Sequence, residues 1–150
     1  MIVVDASIFI DLIFEYNSQR TQSAEELFLI LEKDGIPIVE PDLFKIELAG
    51  QIARRIKKDL ASKICDEIFL ELAFVSTSNI FDTAFDIALK TGSRAIDSFY
   101  IATAKVNDSI LISNDKFQVG SAEESEIEVY NLLQDLEKIK NRLVEVASSS

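Results

Sequence analysis

The sequence predicts an α/β fold in three layers, α/β/α, around a short and mostly parallel sheet, with a helix at the C-terminus. Three observations predict it. Short runs rich in valine and isoleucine alternate with longer amphipathic stretches, the order that builds a parallel sheet between helices. Those short runs are apolar at successive residues, as expected of strands covered on both faces. The 150 residues are 48% hydrophobic and 27% charged, which suffices for one buried core without disulfides or structural zinc.

Each element follows from a local pattern. IVVDASIFI reads as a strand, a turn at Asp5-Ala6-Ser7 and the start of a helix. RTQSAEELFLILEKDG carries apolar residues at helical spacing and stops at Gly35. IPIVE is a short strand. Pro41 and Asp42 then open one helix over LFKIELAGQIARRIKK, and ASKICDEIFLELAF forms another. Phe74-Val75-Ser76 is a further strand. NIFDTAFDIALKTG is a helix with Asn79 as N-cap and Gly92 as its stop. SRAIDSFYIATAKVND is a helix capped by Ser93, SILIS and EIEVYNL are strands, and QDLEKIKNRLVEVASSS is a polar amphipathic helix. There is no internal repeat or long Gly/Pro linker, and the length fits one domain.

Composition narrows the chemistry. The chain has no histidine, no tryptophan and one cysteine. Imidazole bases, Ser-His-Asp and Cys-His mechanisms and histidine-ligated zinc are therefore excluded, as is an intramolecular disulfide. Cys65 shares a helical spacing with Ile64, Ile68 and Leu72 and reads as a core residue. No stretch is long enough to cross a membrane. An acid interrupts the first apolar run, and no basic segment precedes it, so it is not a signal peptide; a cytoplasmic location is expected. The net charge of −11 argues against general affinity for phosphate backbones.

Four carboxylates stand in telling places. Asp5 ends the first strand, where an uncompensated charge is costly to desolvate. Asp115 follows SILIS, separated only by Asn114. Ligand sites in open parallel sheets form beyond the C-terminal ends of strands, and both acids project there. Each could equally be a turn or cap residue. Glu47 lies at the margin of an apolar helical stripe and could be a solvated helix position. Asp97 lies near the start of its helix and could complement the helix dipole. If the four converge, each pair ~4 Å apart repels by about 4 kcal/mol at an effective dielectric near 20. Hard divalent ions, Mg²⁺ or Mn²⁺, are the natural compensation for an all-oxygen site.

VVDAS at 3–7, the glutamate of LFKIELAG, the aspartate of RAIDSFYIATA and SNDKF at 113–117 appear in an order that resembles a PIN-domain ribonuclease of the VapC toxin type. The resemblance covers residues 1–131, with 132–150 as a helical extension of the same domain. It implies a PIN-like fold and metal-dependent hydrolysis of RNA, with Asp5, Glu47, Asp97 and Asp115 as catalytic and metal-binding acids and Mg²⁺ or Mn²⁺ as cofactor. Ser113 and Ser7 match positions that support the acids. A small antitoxin and a homodimer are the implied partners.

RNA binding by so acidic a chain calls for local positive charge. ARRIKK supplies Arg54 and Lys58, two and three turns beyond Glu47 if a single helix runs through them. A phosphate track leading from the metal site would have that form; so would a solvated helix end. Glu123, Glu124, Glu126, Glu128, Asp135 and Glu137 concentrate negative charge later in the chain, in a segment expected to face away from RNA. Two other functions compete. One is a non-catalytic PIN-like module that binds a protein. The other is a phosphorelay receiver domain, for which IPIVEPD is a poor phospho-acceptor segment.

Overall fold

In chain order the elements are β1 (Ile2–Val4), α1 (Ala6–Ile13), α2 (Ser18–Lys33), β2 (Val39–Pro41), α3 (Leu43–Ala53), α4 (Lys58–Leu70), β3 (Ala73–Val75), α5 (Thr77–Thr91), α6 (Ala95–Val106), β4 (Ile110–Ser113), α7 (Lys116–Glu124), β5 (Val129–Asn131) and α8 (Leu136–Ser148). They come from a computed structural model that describes residues 1–149.

All strand pairs among these residues are parallel. Ile2, Val3 and Val4 lie opposite Ile110, Leu111 and Ile112, and Leu111–Ser113 lie opposite Val129–Asn131. On the other side, Val39–Pro41 pair with Ala73–Val75, and one bridge, Ile2 to Ile38, joins the two halves. The spatial order is therefore β3-β2-β1-β4-β5. The chain builds outward from β1 in one direction, then returns to build from β4 in the other. The β1/β4 junction is thus a topological switch point, where open parallel sheets place their ligand crevices. A receiver domain has the order 2-1-3-4-5, so the strand order overturns that reading.

The strands are apolar throughout because both faces are covered. Ile2, Val3 and Val4 are all fully buried, although successive side chains point to opposite faces. Phe9, Phe28, Phe44, Phe69 and Phe74 make a chain of ring contacts with centroids 4.9 to 6.3 Å apart. Cys65 is buried in the same core. The C-terminal helix joins it too: α8 buries Ile139 and Leu143 and ties Lys140 to Glu26 of α2 at 3.6 Å. None of the described helices is long and apolar enough to cross a membrane.

The β1/β2 junction is held partly by a side chain. Ile2 N–H donates to the Pro37 carbonyl at 3.0 Å. Two residues on, Val4 N–H donates to Oε1 of Glu40 at 3.3 Å. The strands diverge here, and the Glu40 carboxyl fills the place of a strand carbonyl. Glu40 is fully buried, and burial pushes its pKa well above the ordinary carboxylate value, with Asp5 and Glu47 adding to the shift.

Several boundaries differ from the sequence expectation. The expected single helix through Arg54 and Lys58 is two. α3 ends at Ala53, Lys57 is extended (φ −64°, ψ 145°), and α4 starts at Lys58. ARRIKK contains no glycine or proline to mark the break, so tertiary packing makes it. Ile52 is buried, Ile56 packs against the core, and α4 turns back to bury Ala61 and Cys65. Arg54 and Lys58 consequently do not share a helical face with Glu47. Ser76 and not Asn79 precedes α5. Arg94 and not Ser93 occupies the cap position of α6. Gly92 does end α5, in the left-handed region at φ 71°, a conformation glycine adopts without steric cost. The helix α7 has no counterpart in the sequence reading, because KFQVGSAEE lacks an apolar period.

Candidate active site

Asp5 stands at the C-terminal end of β1 because its N–H donates to Ile112 of β4 at 3.1 Å, continuing the sheet register. Its side chain then caps α1. Oδ1 accepts from Ser7 N–H at 3.2 Å, and Oδ2 accepts from the Ser113 hydroxyl at 2.9 Å. The Ser113 hydroxyl in turn accepts from Asp115 N–H at 3.0 Å. Two acids from adjacent strands are thereby tied through one serine.

Asp115 is also a cap. Its Oδ1 accepts from Phe117 and Gln118 N–H at the start of α7, leaving Oδ2 free to face the cleft. Asp97 comes from the first turn of α6, where the helix dipole favours an anion. It is buried, at 7% exposure. Glu47 rises from the middle of α3 and accepts from the Tyr100 hydroxyl at 2.9 Å. The same hydroxyl accepts from Ala6 N–H at 3.3 Å. Tyr100, one turn beyond Asp97, thus locks α3, α1 and α6 around the site.

Asp5, Glu47, Asp97 and Asp115 line one cleft of about 360 Å³ beyond the β1 and β4 ends, together with Ser7, Arg20, Gln51, Arg94, Ile96 and Asn114. Arg54 and Lys58 do not line it. Its cations are Arg20, which pairs with Asp11 at 3.3 Å, and Arg94. Arg94 spans two of the acids: Nε lies 3.4 Å from Asp97 and Nη2 lies 3.4 Å from Asp115.

The electrostatics are those of crowded acids. Burial, with Asp97 and Asp115 adding repulsion, raises the pKa of Asp5 against the hydrogen bonds from Ser7 and Ser113. Burial and the Asp115 charge raise Asp97, opposed by Arg94. Glu47 is raised to about 7 by burial first, then by Asp5. Burial also raises the Tyr100 hydroxyl, so it remains a hydrogen-bond donor at neutral pH.

An all-carboxylate donor set suits a hard divalent cation such as Mg²⁺ or Mn²⁺. The shell is not preassembled: among the described residues, no three acids stand close enough to hold an ion together. Arg94 engages two of the four and Tyr100 a third.

Arg94, Arg20, Tyr100 and Glu40 were not singled out in the sequence. Two of them left a signal. Arg94 lies three residues before Asp97 at a helix start, a spacing that pairs side chains. Glu40 interrupts IPIVEP as Asp5 interrupts IVVD. Arg20 reaches the cleft from α2 through tertiary packing that no local pattern records.

Comparison with known proteins bears on the whole chain. No curated protein matches it. A toxin-antitoxin complex from Klebsiella pneumoniae superposes with a TM-score of 0.62 at 13% identity, over 88% of this chain and 98% of that one. FitAB bound to an IR36 DNA fragment gives 0.69 at 18% identity, over 89% and 96%. FitAcB from Neisseria gonorrhoeae gives 0.62 at 17% identity, over 89% and 99%. At such identities these structures share the fold. The family model of the PIN domain matches residues 2–118, a span that contains β1 through the start of α7 and all four acids of the cleft, and the chain belongs to the PIN domain family.

Proposed function

We propose that this protein is a divalent-metal-dependent endoribonuclease and the toxin of a toxin-antitoxin pair. The observation that carries the reading is the convergence of Asp5, Glu47, Asp97 and Asp115 on one cleft at the switch point of the sheet. Four acids brought there by three helices and two strands cost folding free energy unless they bind a cation. A divalent ion held by them supplies positive charge against the phosphate and lowers the pKa of an attacking water. The chain supplies the rest. Ser7 and Ser113 fix both oxygens of Asp5, Tyr100 fixes Glu47, and the N-terminus of α7 fixes Asp115. In this reading Arg20, at the rim of the cleft, meets the scissile phosphate. Arg54 and Lys58, on separate elements away from it, do not.

The toxin role rests on the PIN family and on structural neighbours that include a toxin-antitoxin complex, and it entails a small antitoxin partner and a homodimer. The test is cleavage of structured RNAs by the purified protein with Mg²⁺, Mn²⁺ or EDTA. Cleavage that requires the ion and is lost in Asp97→Asn supports the proposal. Cleavage undiminished in excess EDTA contradicts it.

A further inference from the structure

We infer that Arg94 is a built-in counter-ion of the cleft, one that occupies the Asp97–Asp115 pair until a divalent cation displaces it and so sets the metal affinity of the site. The inference rests on the metal reading above and assigns a residue that regulates it. Three observations carry it. The guanidinium bridges two acids that come from different elements, α6 and the β4–α7 junction, with one nitrogen on each. The contacts are loose, both at 3.4 Å. The Arg94 side chain is 73% exposed, whereas that of Asp97 is 10%, so the cation can swing into solvent while the acid cannot.

The geometry separates Arg94 from the other arginine of the cleft. Arg20 pairs with Asp11, which lies outside the acid quartet, whereas both partners of Arg94 belong to it. Arg94 also lies at the cap position of α6 without capping it, so the helix does not hold the side chain in place. A resident cation next to buried acids stabilises the ion-free fold and competes with an incoming ion for the same oxygens. Metal binding must therefore break two charge-assisted contacts before it gains its own.

The test is a calorimetric titration of Mn²⁺ into wild type, Arg94→Gln and Arg142→Gln at one pH and ionic strength. Arg142 pairs with Glu128 far along the chain and controls for net charge. Arg94→Gln is expected to bind Mn²⁺ about five-fold tighter, the scale of one unit charge removed at a largely water-screened distance. Arg142→Gln should stay within about two-fold of wild type. In EDTA, Arg94→Gln should melt below wild type, and adding Asp97→Asn should restore the loss. Arg94→Lys, which keeps the charge but cannot fork between two acids, should bind with intermediate affinity. Unchanged or weaker Mn²⁺ binding by Arg94→Gln, beside a wild type that binds, overturns this inference and leaves the metal reading standing. A wild type that binds no Mn²⁺ overturns both.

Discussion

Asp5 and Asp115 are helix caps and cleft residues at once. Each spends one carboxylate oxygen on the backbone of a following helix and turns the other toward the site. The cap reading and the ligand reading of the sequence were therefore not alternatives. Local hydrogen bonding orients the side chain, and topology decides what it faces. Glu47 differs, since only Tyr100 holds it, and its pKa near 7 makes it the acid whose charge changes in the physiological range. The sign follows from proton binding. Between the ordinary value of 4.5 and about 7 the folded protein holds a proton that the unfolded chain has lost, so this contribution falls as pH rises through that window. Without metal, Glu47→Gln should therefore gain Tm relative to wild type at pH 7.5 and show a smaller gain at pH 5. Thermal melts in EDTA at both pH values check it; an equal offset at the two would mean that Glu47 does not titrate there.

At the scale of elements, the strands and most helices were legible because their burial repeats along the chain. β1 and β4 are continuously apolar and lie at the centre of the sheet. The break between α3 and α4 was not legible, because ARRIKK has the composition of a helix and only the burial of Ile52 and Ile56 divides it. That break has a consequence for RNA. In an RNA-binding titration, Arg54→Ala with Lys58→Ala should leave the salt dependence unchanged, whereas Arg20→Gln should flatten it by about one unit of slope. The reverse result would restore the basic helix end as the phosphate track. Two buried side chains join the elements around the cleft. Glu40→Gln keeps the acceptor for Val4 N–H and should cost under about 1 kcal/mol, whereas Glu40→Leu strands that donor and should cost about 1–3 kcal/mol. Denaturant unfolding of both variants measures the difference. A leucine variant as stable as the glutamine one would mean that the β1/β2 junction does not need the carboxyl.

At the scale of the whole molecule, the net charge of −11 and the acid-lined cleft act together against the folded state. Screening weakens both, so the metal-free protein is expected to gain Tm between low and physiological NaCl. A Tm that falls with salt would mean that the exposed ion pairs outweigh this repulsion. The fold class and the four acids could be read from order and position, since strands, helices and sheet edges impose local patterns. The cations of the cleft could not, because Arg20 and Arg94 arrive there by packing. The charged tail of the fold is partly self-neutralised: Glu128 pairs with Arg142 at 2.7 Å and Asp135 with Lys138 at 3.9 Å. No residue from 117 to 137 lines the cleft, in keeping with a segment turned from RNA. The central claim is that the four acids form a divalent-metal site, and melts of wild type and Asp97→Asn, each in EDTA and in Mn²⁺, test it most directly. In EDTA the variant loses one repelling charge at nearly constant shape and should be more stable than wild type by about 1 kcal/mol. Wild type should gain about 2.7 kcal/mol at Mn²⁺ a hundred times its Kd, and the variant much less. A variant destabilised in EDTA that keeps the full Mn²⁺ gain would contradict the account and return Asp97 to the role of a helix-dipole charge.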